Sequence, residues 1–179
     1  LMAASAVTGG ELILNGIISS HLDGVIPLFE EAGCNIKVRN SKLKIDSPNR
    51  LKPFKSVRTM PYPGFPTDAQ AVMMSVATVA KGTTVFVENI FESRYRHVED
   101  LTRLGANIKV ANKVAVVEGV DRLFGAKVVA KELRGAAALV VASLKAEGRT
   151  EIEGIKYLER GYEDLEVVLS SLGANIRKV

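Results

Sequence analysis

One carboxylate and three guanidinium groups are the side chains of this sequence best placed to do chemistry. Asp68 follows Pro61-Tyr62-Pro63-Gly64-Phe65-Pro66-Thr67. Three prolines and a glycine make a stiff, irregular approach that is neither helix nor central strand. Ala69 to Lys81 is almost wholly apolar and reads as a helix ending before Gly82. Thr67 is then the N-cap candidate and Asp68 falls in the first turn. Free N–H groups and the positive end of the helix dipole favour a carboxylate there. Such a residue is either an ordinary cap or an acid or base fixed in space. Arg94, Arg134 and Arg160 each stand at, or just before, the start of a further helix. Helix N-termini and guanidinium groups both favour carboxylate and phosphate. If those starts converge, they make an anion site; if not, the three are solvated charges among 24 basic residues.

Other reactive residue types carry less. Cys34 sits beside Gly33, at a place held elsewhere in the chain by Ala106 and Ala174, and reads as a small packed side chain. His97, among Arg96, Glu99 and Asp100, reads as part of a charged surface, and His21 has no partner in sequence. No set of His, Cys, Asp and Glu has metal-ligand spacing, and neither Gly9-Gly10 nor Gly161 opens a phosphate loop.

The elements that must position these groups recur. Gly33-Cys34-Asn35-Ile36-Lys37, Gly105-Ala106-Asn107-Ile108-Lys109 and Gly173-Ala174-Asn175-Ile176-Arg177 repeat at about seventy residues. Each is preceded by a strand-like alternation: Gly9 to Ile17, Gly82 to Ile90, and Gly148 to Ile155. An amphipathic helix lies between the two markers, as in Leu22, Val25, Ile26 and Phe29, or Val98, Leu101 and Leu104, or Leu165, Leu169 and Leu172. Its closing glycine suits a left-handed cap. Strands are expected at 35–39, 42–46, 55–59, 107–111, 113–118 and 126–130, and from Asn175 onward. A different helix opens each unit: 1–7, 69–81 and 135–146. These are apolar all round and rich in Ala, Val and Met, so they belong inside. The reading is α/β: three βαβαββ-like units, about 1–66, 67–132 and 133–179, in one domain with buried helices and outer sheets.

Bulk properties fit that reading. The chain has 179 residues, 47% hydrophobic and 25% charged, with net charge +4. This is ordinary globular composition with a mild bias toward anionic partners. Aromatics and arginines are not interleaved as in base-stacking proteins, so nucleic acid is not expected. No apolar run approaches the ~20 residues of a membrane span. A single cysteine suits a reducing compartment. The first unit opens inside its helix and the third stops in a strand, which leads to the expectation of a longer natural protein.

The stretch Pro63-Gly64-Phe65-Pro66-Thr67-Asp68-Ala69-Gln70 resembles the signature of UDP-N-acetylglucosamine enolpyruvyl transferases. The resemblance extends through Glu88-Asn89-Ile90-Phe91-Glu92-Ser93-Arg94, Glu132-Leu133-Arg134 and Glu159-Arg160-Gly161-Tyr162-Glu163, over nearly the whole chain. It implies an inside-out α/β barrel, here lacking strands that an N-terminal segment supplies. It implies transfer of enolpyruvate from phosphoenolpyruvate to the 3-hydroxyl of UDP-N-acetylglucosamine, opening peptidoglycan synthesis in the bacterial cytoplasm, with no cofactor or metal. Asp68 is implied as general base, Glu92 as a proton-transfer or positioning group, and Arg94 and Arg134 as the grip on the phosphoenolpyruvate carboxylate. Arg160 is implied at the phosphate, and Thr67, Ile90 and Phe91 beside the sugar nucleotide. The other wall of the cleft belongs to a second domain, so this chain alone is expected to be inactive. The alternatives are the sister transferase acting on shikimate 3-phosphate and a non-enzymatic three-unit binding domain. RNA 3′-phosphate cyclases have similar units but need a nucleotidylated histidine, for which neither His21 nor His97 is suitably set.

Overall fold

The computed structural model describes every residue from Leu1 to Val179. The first third of the chain forms α1 (Met2–Thr8), β1 (Glu11–Asn15), a 3-10 turn (Ser19–Leu22), α2 (Ile26–Glu31), β2 (Asn35–Arg39), β3 (Lys42–Asp46) and β4 (Ser56–Arg58). Next come α3 (Thr67–Ala77), β5 (Thr83–Val87), α4 (Val98–Arg103), β6 (Asn107–Ala111), β7 (Val114–Glu118) and β8 (Lys127–Val129). The chain ends with α5 (Leu133–Ser143), β9 (Glu151–Glu153), a 3-10 turn (Ile155–Tyr157) and α6 (Leu165–Ser171).

Helices α1, α3 and α5 lie inside. They have no polar face to offer water, so burial on all sides is the stable solution. Ala6, Met74, Val76, Ala138 and Ala142 are all essentially inaccessible. Small residues let α3 and α5 meet closely. The Ser75 hydroxyl on α3 donates to the Ala138 carbonyl oxygen on α5 at 2.8 Å, so its burial strands no polar group.

The strands form three open sheets, ordered β1-β3-β2, β4-β5-β7-β6 and β8-β9. The ladders β1/β3, β2/β3, β5/β7 and β6/β7 are antiparallel, while β4/β5 and β8/β9 are parallel. Alternation decides which face is covered. Leu43 and Ile45 on β3, and Ala115 and Val117 on β7, point inward and are fully buried, while Lys42 and Glu118 face out. The β2–β3 turn is Asn40-Ser41 with φ of 48° and 57°, the left-handed pair that a two-residue hairpin needs.

Several expected boundaries shift for local reasons. The helix expected at 69–81 runs Thr67–Ala77, and Pro66 rather than Thr67 is its N-cap. Thr67 is already helical, and its hydroxyl goes to a side chain elsewhere. Beyond Ala77 the chain tightens into i→i+3 bonds, Val79 N to Val76 O and Ala80 N to Ala77 O. The helix expected at 135–146 begins at Leu133, because the Glu132 carboxylate caps it by accepting from the amides of Arg134 and Gly135. The helical spacing from Leu22 to Phe29 splits into a 3-10 turn and α2, with Pro27 in the first turn of the latter. The strand expected from Asn175 is not formed. In the earlier units that strand pairs with the one after it, as β2 does with β3 and β6 with β7. Residues 174–179 have no such hairpin partner, and a lone strand leaves its backbone groups unpaired.

Candidate active site

The packing of α3 on α5 decides the site. Asp68 is the second residue of α3 and Arg134 the second of α5. Ser75 and Ala138, seven and four residues further on, are also in contact. The two helices therefore start at the same edge, and the Arg134 Nε donates to Asp68 Oδ1. Hydrogen bonding to Asp68 pushes the Arg134 guanidinium pKa upward. Arg94 reaches the same carboxylate oxygen from the loop after β5, its Nη2 lying 3.6 Å from Asp68 Oδ1. Its guanidinium carbon sits 4.1 Å from the centre of the Phe91 ring, a cation–π contact that holds the side chain across the loop. Arg94 Nε is buried without a hydrogen-bond acceptor. Two of the three expected arginines thus converge on Asp68.

The third does not make contact. Arg160 is exposed, in the turn after the second 3-10 segment, and forms no ion pair. Its neighbour Tyr162 is half-buried beside Arg134 and Asp68, and burial pushes the phenol pKa upward against the opposing charge of Arg134. Gly161 lets this turn lie on α5. A Cβ there would come within 2.9 Å of the Leu133 side chain. Glu92, Ile90 and Phe91 are exposed on the loop that carries Arg94, and Glu92 makes no hydrogen bond or ion pair. Thr67 is half-buried with its hydroxyl directed to Glu88 Oε2 at 3.0 Å. Cys34 is buried, and its thiol donates weakly to Ser47 at 3.8 Å, as a packed side chain does. No group of three or more His, Cys, Asp or Glu side chains is disposed to hold a metal ion.

Three groups around the site were not singled out from sequence as site residues. Glu132, besides capping α5, lies 4.0 Å from Arg134 Nη1. Glu88 is 1% exposed at the end of β5. A signal for it exists: the period-two alternation puts Glu88 on the same inward face as Thr84 and Phe86, both buried. His97, expected at the surface, is a correction. It is 3% exposed, and its ring nitrogens make no well-formed hydrogen bond, only a loose contact with the Arg94 backbone. Its ring is enclosed because α4 turns inward and Gly135, lacking a Cβ, leaves room: a Cβ there would be 2.9 Å from that of His97. Burial pushes the imidazole pKa down to about 4, against the opposing pull of Glu132.

Taken together, one exposed carboxylate at the start of α3 is flanked by two partly buried guanidinium groups, one at the start of α5 and one from the loop after β5. This arrangement can accept a proton at Asp68 and bind an anion at Arg94 and Arg134. Comparison with known proteins agrees in family. The EPSP synthase (3-phosphoshikimate 1-carboxyvinyltransferase) family matches residues 1–169. UDP-N-acetylglucosamine 1-carboxyvinyltransferase 2 of Caldanaerobacter subterraneus subsp. tengcongensis is 46% identical over 99% of this chain and 43% of its own length. UDP-N-acetylglucosamine 1-carboxyvinyltransferase of Desulfofundulus thermocisternus is 47% identical over 98% of this chain and 72% of its own length. The chain spans less than half the length of several such relatives, 42% in the one from Myxococcus xanthus. Among solved structures, the enolpyruvyl transferase NikO from Streptomyces tendae superposes with TM-score 0.87 at 27% identity, over 98% of this chain and 42% of that one. EPSP synthase from Acinetobacter baumannii shares the fold, with TM-score 0.74 at 18% identity, over 99% of this chain and 42% of that one. The chain belongs to the EPSP synthase family, in the group of its UDP-N-acetylglucosamine 1-carboxyvinyltransferases.

Proposed function

We propose that this chain forms one wall of an enzyme site that moves enolpyruvate from phosphoenolpyruvate to the 3-hydroxyl of UDP-N-acetylglucosamine, the first committed step of peptidoglycan synthesis in the bacterial cytoplasm. The observation that carries the reading is the meeting of Asp68, Arg94 and Arg134 at the shared edge of α3 and α5. The relatives' names supply the substrate class.

In this reading Asp68 takes the proton of the sugar 3-hydroxyl as its oxygen bonds to C2 of the enol. The methylene carbon gains a proton, giving a tetrahedral adduct. Loss of phosphate, with a proton leaving the methyl carbon, restores the double bond. Arg94 and Arg134 hold the carboxylate of phosphoenolpyruvate, and Arg160 meets its phosphate. Cations around an anionic intermediate stabilise it most where water is excluded. Arg134 first has to release Asp68. That pair is cheap to open, because the Asp68 side chain is 66% exposed and surface ion pairs are worth ~0–1 kcal/mol. Opening it frees the base and the anion grip together. Glu92 lies beside the reacting carbon as a proton-transfer or positioning group, and Thr67, Ile90 and Phe91 border the sugar nucleotide. Neither metal nor cofactor is required by the chemistry.

We further infer one inside-out barrel domain of three related units, about 1–66, 67–132 and 133–179, facing a second, N-terminal domain of the same protein. The repeated left-handed glycines Gly33, Gly105 and Gly173, at φ of 94°, 94° and 97°, support the unit assignment. With one wall only, the 179-residue chain turns over little or no substrate; measured turnover by it alone would contradict this.

The test is phosphate release by the full-length protein with phosphoenolpyruvate, comparing UDP-N-acetylglucosamine with shikimate 3-phosphate. Release is expected with the sugar nucleotide alone. Asp68→Ala should lower turnover by roughly 10²- to 10⁴-fold, the range for a general base. Release with shikimate 3-phosphate alone assigns the sister activity, and release with neither refutes enolpyruvyl transfer.

A further inference from the structure

The carboxylate of Glu88 is out of solvent and accepts four hydrogen bonds. Oε1 accepts from Thr59 Oγ1 at 2.9 Å, Ile90 N at 2.9 Å and Phe91 N at 3.1 Å, and Oε2 from Thr67 Oγ1 at 3.0 Å. No Lys or Arg lies within ion-pair distance. The network extends one step further. Thr59 Oγ1 accepts from Asn89 N at 2.8 Å, and Thr59 N donates to Val87 O at 3.0 Å. Burying a carboxylate is costly unless it is satisfied, so such a group persists only where the chain around it supplies donors. Here those donors belong to three separate segments: the loop before the proline-rich stretch, the first residue of α3, and the loop after β5.

The fold itself does not call for a carboxylate at a strand end. Where β1 and β9 stop, the next residues are Gly16 and Gly154, with left-handed φ of 74° and 78°. Only after β5 is the next residue a buried glutamate, in the unit that also carries Asp68.

We propose that Glu88 is a positioning residue that locks the start of α3, and with it Asp68, to the Ile90–Phe91 loop from which Arg94 extends. Its Oε2 arm fixes the base, and its Oε1 arm fixes the loop that borders the acceptor sugar and carries the anion-binding arginine. The catalytic consequence rests on the enolpyruvyl transfer reading above; the clamp does not.

The experiment uses the full-length protein with four forms: wild type, Glu88→Ala, Glu88→Gln and Thr67→Val. Misplacement of reacting groups by about 1 Å costs up to roughly 10²-fold in rate. Glu88→Ala should lower kcat about thirtyfold and raise the KM for the sugar nucleotide about fivefold. Thr67→Val removes the arm to α3 and, because Thr67 also borders the sugar nucleotide, should lower kcat about tenfold with the KM for that substrate raised no more than about fivefold. Glu88→Gln keeps an oxygen for the two loop amides and an NH₂ for the Thr67 hydroxyl, and should stay within about threefold of wild type. Amide hydrogen exchange at Ile90 and Phe91 gives a readout without substrate. It should quicken at least about tenfold in Glu88→Ala and stay unchanged in Thr67→Val and Glu88→Gln. Wild-type kinetics in Glu88→Ala, or Glu88→Gln as impaired as Glu88→Ala, overturns the proposal. If Glu88→Ala does not fold, a Thr67→Val enzyme with wild-type kcat overturns it. If the wild type shows no turnover, the functional reading has failed, and equal exchange in wild type and Glu88→Ala separately sinks the clamp.

Discussion

Acid should destabilise this protein through one buried histidine, and the size of the effect follows from the structure. His97 is 3% exposed, and burial pushes its pKa down to about 4 from the ordinary value of 6.5, with Glu132 and Asp100 opposing the shift. In the unfolded chain the imidazole titrates near 6.5. A depressed folded pKa means the neutral ring is the form the fold accepts. Stability is therefore fully present above about pH 6.5 and is lost as pH falls toward 4, because the unfolded chain binds the proton first. Linkage between these two values gives a loss of about 2 kcal/mol by pH 5 and about 3 kcal/mol by pH 4. Leucine is the informative replacement. The ring has no well-formed hydrogen bond, only a loose contact with the Arg94 backbone, so His97→Leu removes poorly satisfied polar atoms at a small change of volume. At pH 7.5 the variant should lie within about 1 kcal/mol of wild type. At pH 5 it should be the more stable by about 2 kcal/mol. Urea unfolding followed by circular dichroism at both pH values measures this, and the difference between the two proteins cancels carboxylates that titrate in both. Identical pH dependence in wild type and His97→Leu would refute the reasoning.

Two further substitutions probe how the site is held. Glu132→Ala removes the side chain that caps α5 and should cost about 1–2 kcal/mol of stability in urea unfolding, with the first turn carrying Arg134 loosened; an unchanged midpoint would mean that water replaces the cap without loss. Gly119→Ala should be far worse, at least about 3 kcal/mol by the same assay, because a Cβ there overlaps the Ala80 carbonyl oxygen just past the end of α3 and neither backbone can move freely. A soluble Gly119→Ala protein with near-wild-type stability would show that this backbone contact is softer than its geometry.

Much of the architecture was legible because it rests on periodicity and on glycine. Alternation along 35–39, 42–46 and 107–111 marked strands with those bounds, since a sheet with one covered face needs an inward residue at every second position. The all-apolar runs marked the buried helices, and Asp68 at a helix start followed from the proline-rich approach. Helix ends were less legible. Glu132 is an uncommon cap type, so α5 starts two residues earlier than its apolar run. Pro66 took the cap position that Thr67 would ordinarily hold. The strand expected from Asn175 is not formed, since residues 174–179 pair as a strand with no other segment.

The chemistry of single groups was read from the chain: a carboxylate at a rigid helix start, and arginines near other helix starts. Their company was a tertiary decision. Asp68 and Arg134 are 66 residues apart, and only the close packing of α3 on α5 through Ser75 and Ala138 brings them together. Arg160 stays exposed without an ion pair, and His97 is enclosed against Gly135 of α5. Periodicity tells a residue which way to face relative to its own element. What it faces depends on which elements dock, and that is set by the shape and small size of residues far away in sequence.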